Sequence, residues 1–359
     1  MKTFAFLFHP FDLPILFKKG IKEESIGSMN QRFVERTLRW LEPIKRESAV
    51  IKSVNGNEAL CEMIMVPLIC DQILNMDPKF VLDKTIKAAE LAVKLKVSLI
   101  GLGAYLSPVG RRGVLISKAV NTPVTSGTTY TISTAIEATI KASESIGLNI
   151  ENTKITIIGA TGSIGKACAN FFARKVNTLV LSARNIERLE KLKSELKNMQ
   201  GVNAKIECNI DPKESVKNSD IVVISTSCPS EILSVFDLPA GCVVCDISVP
   251  HNITATDAEQ TDVLVIDGGL VQVPSPVDFE YLALPPGVAY ACLSEAMILA
   301  LEGRFESFSC GGEISYEKIM EINALAKKHG FKLANFRSFG KIVDDVTIKR
   351  IRKARTKRK

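Results

Sequence analysis

The central third of the chain alternates short apolar runs with amphipathic stretches. Thr178 to Ser182 (TLVLS) and Ile221 to Ser225 (IVVIS) are near-continuous apolar runs of strand length, and Asn185 to Gln200 carries apolar residues at helical spacing. Buried strands that alternate with amphipathic helices indicate a parallel sheet covered on both faces. The pattern predicts an α/β fold with a Rossmann-like, doubly wound parallel sheet over residues 151–275.

The flanking regions show two further patterns. Phe4 to Phe8 and Leu60 to Val66 read as strands, with a helix over Asp77 to Val97, so an α/β domain of its own is expected at the N-terminus. After Pro285-Pro286-Gly287, Val288 to Glu302 reads as one helix. The predicted segments are an N-terminal α/β substrate-side domain (1–127), a connecting helix (128–150), the Rossmann-like domain (151–275), a C-terminal helical region (276–340) and a basic tail (341–359).

Positive charge is concentrated at the end of the chain. The run KRIRKARTKRK holds eight of the 46 basic residues, and without it the net charge falls from +7 to −1. We interpret the tail as a solvated, disordered terminus or, alternatively, as an electrostatic handle for an acidic partner, an anionic membrane surface or nucleic acid. The tail has no interleaved aromatic residues, so no specific nucleic-acid partner is expected.

Apolar runs and cysteines favour a cytoplasmic protein. No apolar run approaches the ~18 residues of a membrane-spanning helix. Nine cysteines, an odd number without a recognisable secretion signal, indicate reduced thiols rather than a disulfide framework. Cys242 and Cys245 have the spacing of half a zinc site but no second pair, so no metal site is expected.

A glycine-rich turn follows the first strand of the central region and opens a helix. Its spacing is G-x-x-G-x-x-G, and Thr161 occupies the position of the usual second glycine. Glycines allow a tight turn and close backbone approach, while a helix N-terminus attracts a pyrophosphate. The turn therefore predicts a dinucleotide site. The residues expected to line it are Gly159, Thr161, Gly162, Ser163, Ile164 and Gly165, with Gly268 and Gly269 on the nicotinamide side after the last strand.

The end of the next strand indicates which dinucleotide is bound. Sites for NAD place an Asp or Glu there, whereas the run LSARN (181–185) has no acid. Arg184, with Ser182 and Asn185 as further donors, could hold a 2′-phosphate. The run predicts NADPH. In the alternative interpretation, Arg184 is a surface residue of the following helix.

Cys292 differs from the other cysteines in its position. It falls in the first turns of the helix predicted after Gly287, where the helix dipole and free amides lower the pKa of a thiol. This position fits a catalytic nucleophile, and an inert core cysteine remains the alternative. Glu295, one turn further on, could orient or protonate a group, and a solvated or capping role is the alternative. His251 could face a cleft or lie in a surface loop.

Four stretches in this order resemble the cyanobacterial-type long-chain acyl-[acyl-carrier-protein] reductases, which form fatty aldehydes. The similarity runs from Phe4 to about Phe331. The stretches are VTSGTTYT (124–131), IIGATGSIG (157–165), LSARNIERLEKLKSEL (181–196) and AYACLSEAMILALEG (289–303). The chain departs from the family where members commonly read TGN followed by His, and it has a tail that they lack.

The resemblance implies a mechanism of acyl transfer and an acyl donor. Cys292 would take the acyl chain as a thioester from acyl carrier protein or acyl-CoA, and NADPH would bind at the glycine turn and Arg184. Transfer of the acyl chain to the thiol and reduction of the resulting thioester both develop negative charge on the acyl oxygen. Ser126, Thr128 and Thr129 are candidate hydrogen-bond donors to that oxyanion, and turn and helix-capping roles are the alternative.

Two other functions remain open at this point. A shikimate- or amino-acid-type NADP-dependent dehydrogenase shares a leading α/β domain and a following NADP domain. Such enzymes usually need a Lys–Asp pair, for which the sequence offers no convincing counterpart. A non-catalytic dinucleotide-binding protein is the second alternative, in which Cys292 would be dispensable.

Overall fold

The computed structural model describes residues 1–10, 36–254, 261–312 and 314–358, and the chain divides into two compact units. The first unit comprises residues 1–131 and 271–332, and the second comprises residues 132–270 and 333–359. Each unit is therefore built from two separate stretches of the chain. The predicted C-terminal region, 276–340, is divided between the two units.

The first unit contains a five-stranded sheet. Three neighbouring pairs in it are parallel, and only β2 runs antiparallel to its neighbour β3. The order is β2-β3-β1-β4-β5, with β1 at Lys2–Phe8, β2 at Ile44–Lys52, β3 at Glu58–Met65, β4 at Leu99–Leu102 and β5 at Val124–Thr125. The apolar runs predicted at Phe4 and Leu60 are confirmed as central strands.

Helices surround this sheet. They are α1 (Cys70–Asn75), α2 (Pro78–Lys94), α3 (Val109–Arg112), α4 (Val114–Val120), α9 (Ala291–Glu302) and α10 (Tyr316–His329), while α5 (Thr128–Ser145) begins here and continues in the second unit. Gly330 ends α10 with a left-handed φ of +88°, a conformation that glycine adopts without strain. Among the described residues, no helix combines the length and apolar composition that crossing a membrane requires.

Helix α9 is the buried helix of the first unit. It packs against β1, β3 and β4, and almost every residue along it is buried. Gly101 allows the close approach, since a Cβ there would lie 3.0 Å from the Cβ of Ala296. A helix that is apolar on all sides needs cover on all sides. This explains why a C-terminal segment joins the N-terminal domain rather than forming a region of its own.

The second unit contains a six-stranded, fully parallel sheet. Its order, β13-β11-β9-β6-β7-β8, is the doubly wound order 3-2-1-4-5-6 of Rossmann folds. The strands are β6 (Lys154–Ile158), β7 (Thr178–Ser182), β8 (Lys205–Asn209), β9 (Ile221–Ile224), β11 (Val243–Asp246) and β13 (Leu264–Asp267). The predicted fold class is confirmed.

Helices and short strands complete the architecture. The remaining helices are α6 (Ser163–Phe172), α7 (Ile186–Lys197), α8 (Pro212–Val216) and α11 (Asp345–Arg358). The short strands are β10 (Leu233–Ser234), β12 (Ile253–Thr254), β14 (Leu270–Gln272), β15 (Val288–Tyr290), β16 (Lys332–Leu333), β17 (Arg337–Ser338) and β18 (Lys341–Ile342).

The basic tail is a helix of the second unit, so its interpretation as a disordered terminus is wrong. Ile351 is fully buried, and Arg350 pairs with Asp262 at 2.9 Å. Arg355 forms an ion pair with Asp220. One face of α11 thus contacts its own unit through an apolar residue and paired arginines, and this facial pattern is not apparent from the charge count.

The start of the predicted helix at Val288 also needs correction. Val288–Tyr290 forms strand β15, and α9 begins only at Ala291. Cys292 is therefore the second residue of the helix rather than part of its second turn. This change places the thiol among the unpaired amides of a helix N-terminus.

Candidate functional site

Cys292 lies beneath the turn that follows β5. Gly127 in that turn has a φ of +71°, and a Cβ on it would lie 2.3 Å from the Cα and 2.4 Å from the Cβ of Cys292. Such distances are incompatible with any side chain. The segment that contains Gly127 therefore rests directly on the first turn of α9, and only glycine permits this contact.

The buried carboxylate of Glu295 holds that segment in place. Its Oε2 accepts a hydrogen bond from the Tyr130 amide at 2.9 Å, and its Oε1 accepts one from the Thr125 hydroxyl. Hydrogen bonds involving Ser309 and the backbone of Gly127 also lower the pKa of this carboxyl, but burial dominates and raises it overall. Glu295 is fully buried, which excludes a solvated role. It is a positioning residue of the Gly127 turn.

The three predicted oxyanion candidates lie in the same segment and are held by one another and by Ser309. Thr129 Oγ1 lies 2.5 Å from Ser309 Oγ, and Ser126 Oγ donates to the Ser309 carbonyl at 2.5 Å. Ser126 and Thr128 share a hydroxyl–hydroxyl bond of 2.7 Å. These hydroxyls have protein partners that fix the turn. Ser309 was missed from the sequence because no motif surrounds it.

The pKa of the Cys292 thiol is shifted in the opposite direction from that expected at a helix N-terminus. Burial raises its pKa to about 11, and the charge of Glu295 adds to the increase. Backbone hydrogen bonds from Ala104, Leu293 and Cys292 itself act in the other direction but are weaker. The expected lowering of the pKa is therefore wrong because desolvation outweighs the amides. The thiol is protonated in the free protein at neutral pH.

The glycine turn of the second unit lies between β6 and α6, where the strand order of the sheet reverses. A Cβ on Gly165 would lie 2.3 Å from the Gly159 carbonyl, and one on Gly159 would lie 2.6 Å from the Ser225 carbonyl. Gly159 also has a φ of +82°. The predicted glycines are thus required by the backbone geometry of this turn. Ligands of such sheets bind at this reversal, beyond the carboxyl ends of the strands.

Three residues at the end of β7 are predicted to hold a 2′-phosphate, and one of them already has a structural role. Ser182 is buried, and its hydroxyl has no partner in the described structure, so a donor or acceptor is available at the strand end. Arg184 is exposed. Asn185 caps α7 by accepting from the Arg188 amide at 2.8 Å. Ser182 and Arg184 suit a ribose phosphate, while the Asn185 side-chain oxygen is already used by the helix.

The carboxyl ends of β11 and β13 bring His251 between two carboxylates. Its ring nitrogens lie 3.5 Å from Asp246 and 3.4 Å from Asp267. Burial acts to lower the pKa of His251, but the two acids raise it overall. Gly268 and Gly269 follow β13 as expected, and both are buried.

The cysteine pair Cys242 and Cys245 has the spacing of half a zinc site, so a metal site here would need further ligands nearby. Cys242 and Cys245 are buried in or beside β11, and all nine cysteines are free thiols. Within residues 1–10, 36–254, 261–312 and 314–358, no cluster of three or more His, Cys, Asp or Glu side chains could hold a metal ion.

Comparison with known proteins finds one family match and distant curated relatives. Residues 141–268 match the shikimate / quinate 5-dehydrogenase family model. The aminotransferase PigE of a Serratia species is 29% identical over 82% of this chain and 35% of its own length. The long-chain acyl-[acyl-carrier-protein] reductase of Synechococcus elongatus is 31% identical over 57% of this chain and 59% of its own. The chain thus spans less than two thirds of the length of each of these two relatives.

A solved structure shows similarity over a longer range at low identity. A shikimate dehydrogenase in complex with NADP+ is 15% identical, with 91% of this chain and 96% of that chain covered and a TM-score of 0.40. Both the family match and the curated relatives are distant. The family match, to a dehydrogenase, lies within the second unit.

We predict that Gly127→Ala destabilises the first unit severely. The new Cβ must displace the Cys292 backbone, so unfolding free energy should fall by about 3–5 kcal/mol. Gly56→Ala is the matched control, because Gly56 also has a positive φ (+86°) but no atom within 4 Å of the added Cβ. It should cost only about 1–2 kcal/mol. Equal losses in denaturant titrations of the two variants would contradict the close contact.

We also predict an alkaline profile for alkylation of Cys292. Because its pKa is raised to about 11, the rate measured by peptide mass spectrometry should rise with pH and approach half its maximum only near that value. Glu295→Gln removes a like charge and should shift the profile to lower pH. Glu302→Gln, near the far end of α9, should leave it unchanged. A plateau below about pH 9 in the unmodified protein would refute the raised pKa.

Proposed function

We propose that this chain is an NADPH-dependent reductase that converts a long-chain fatty acyl thioester to a fatty aldehyde through an acyl-enzyme on Cys292. The proposed donor is acyl carrier protein, with acyl-CoA as the simpler form of the same thioester. Nine free thiols fit a reducing, cytoplasmic setting for this chemistry.

The observation that carries the proposal is the construction around Cys292. A half-buried thiol lies at the second position of a largely buried helix, and a buried carboxylate holds a glycine turn against it. An inert core cysteine needs no such arrangement. The distant similarity to an acyl-[acyl-carrier-protein] reductase supplies the class of substrate.

The chemistry proposed for Cys292 is a thiol–thioester exchange. The thiol loses its proton, its sulfur attacks the acyl carbon, and the carrier leaves as a free thiol that takes up the proton. Backbone amides at Ala104 and Leu293, which already stabilise the thiolate, are the candidate stabilisers of negative charge at this position. Ser126, Thr128 and Thr129 shape the turn beside the sulfur, and their oxyanion role remains a proposal.

NADPH fits the second unit at the glycine turn, with Arg184 and Ser182 on the 2′-phosphate and Gly268 and Gly269 toward the nicotinamide. When bound, NADPH would supply the hydride that, with one proton, reduces the Cys292 thioester to an aldehyde and returns the free thiol. Thr161, Gly162, Ser163, Ile164 and Gly165 would hold the pyrophosphate at the N-terminus of α6, where Gly162 as N-cap contributes no competing side chain.

One observation favours a second candidate. The family model for shikimate / quinate 5-dehydrogenase matches residues 141–268, which lie wholly in the second unit. A dehydrogenase of a small hydroxy or amino acid would use the same dinucleotide domain without any covalent step at Cys292. The two functions are separated by whether an acyl group is transferred to the protein.

We expect wild-type protein mixed with palmitoyl-acyl carrier protein, without NADPH, to gain the mass of one acyl group on the peptide that contains Cys292. Cys292→Ser should gain no acyl group. Cys310→Ser, which removes another partly exposed thiol of the first unit, should be acylated like wild type. If intact-protein mass spectrometry finds no adduct on wild type with either the carrier or the CoA thioester, the reductase proposal fails.

For the cofactor, we expect Arg184→Ala to weaken NADPH binding by about 10- to 100-fold, the value of one lost charge-assisted contact. NADH binding should change little, because NADH lacks the 2′-phosphate. Arg188→Ala removes a neighbouring exposed arginine and should leave both affinities unchanged. Equal weakening of NADPH and NADH in fluorescence titrations of Arg184→Ala would exclude the 2′-phosphate assignment.

A further inference from the structure

Helix α11 has two faces of different character. The inward face carries the fully buried Ile351 and three arginines that are paired or hydrogen-bonded within the second unit: Arg350 with Asp262, Arg355 with Asp220, and Arg358 with the Ser219 carbonyl at 3.2 Å. The outward face consists of exposed residues at helical spacing. These are Asp345 and Val346 in the first turn, followed by Lys349, Arg352, Lys353, Thr356 and Lys357.

The outward cations, which we call the basic stripe (Lys349, Arg352, Lys353 and Lys357), are not neutralised within the described part of the chain. No carboxylate there pairs with any of them, and Arg352 alone has a protein partner, the Ser145 carbonyl at 2.5 Å. Eight residue steps at 1.5 Å each give the stripe a length of about 12 Å. It is therefore a compact, rigidly mounted row of positive charge.

The composition of the outward face favours an acidic protein over other anionic partners. A helix that binds a membrane surface inserts several apolar residues, and the outward face of α11 offers a single one, Val346. Single-stranded nucleic acid is held by aromatic stacking, and no aromatic residue lies on this face. A row of carboxylates on a partner helix would match both the length and the charge.

We propose that the basic stripe docks an acidic protein, namely the carrier that delivers the acyl thioester. The identity of this partner rests on the proposed function, whereas the charge and geometry of the stripe do not. The near-neutral remainder of the chain, with a net charge of −1, makes the attraction local to α11. The stripe would accelerate encounter and fix the orientation of the carrier.

The test is binding of palmitoyl-acyl carrier protein to full-length Cys292→Ser protein, in which no acyl transfer obscures the equilibrium. The triple variant Lys349→Glu, Lys353→Glu, Lys357→Glu should raise Kd at least about tenfold at about 25 mM salt and less than about twofold at about 300 mM. The control variant Lys175→Glu, Lys191→Glu, Lys197→Glu has the same net charge and replaces exposed lysines elsewhere in the second unit. It should bind like the parent.

Several outcomes would overturn the proposal. They are an unchanged Kd in the stripe variant, equal losses in both triple variants, and tighter stripe-dependent binding to phosphatidylglycerol vesicles or to a DNA duplex than to the carrier. Far-ultraviolet circular dichroism verifies that α11 remains helical. If the charge reversals disturb folding, the neutral variant with Lys→Gln at positions 349, 353 and 357 replaces them, and its Kd should lie between those of the parent and of the stripe variant. Carrier binding that persists without any acyl adduct on wild type would keep the stripe and refute the reductase, so the two failures are distinguishable.

Discussion

The burial of the Glu295 carboxylate is the constraint on which the candidate site depends. A carboxylate removed from water is costly unless hydrogen bonds replace those of the solvent. Here the replacements come from Thr125, Tyr130 and Ser309. The hydrogen bonds that stabilise the buried carboxylate therefore also hold the Gly127 turn against Cys292. The threonine- and serine-rich composition of the segment follows from that requirement.

The same burial controls the reactivity of the sulfur. With a pKa of about 11, Cys292 is a thiol in the free protein and is protected from the oxidation and disulfide exchange that an exposed thiolate undergoes. A thiolate of high pKa is also the better nucleophile once it forms. The proposed chemistry therefore requires proton removal to accompany arrival of the thioester, with the Ala104 and Leu293 amides in place to receive the charge.

The regular parts of the fold were predictable because their patterns are local. The strand at Thr178–Ser182, the helix at Ile186–Lys197 and the glycine turn after β6 follow from apolar period and turn chemistry. Other features depend on contacts between residues distant in sequence. The partnership of Ser309 with Thr129, the assignment of α9 to the first unit and the raised pKa of Cys292 all required the packed structure. The tail was misjudged because a charge count ignores which side of a helix each charge occupies.

The most direct test of the acyl-enzyme account is a single-turnover chase. Wild-type protein is first acylated on Cys292 by a palmitoyl thioester, freed of excess donor, and then mixed with NADPH that carries deuterium at the transferable C4 position. The account predicts that the acyl adduct disappears at the rate at which palmitaldehyde with one deuterium at C1 forms. An adduct that persists in NADPH, or deuterated aldehyde produced equally by Cys292→Ser, would contradict it.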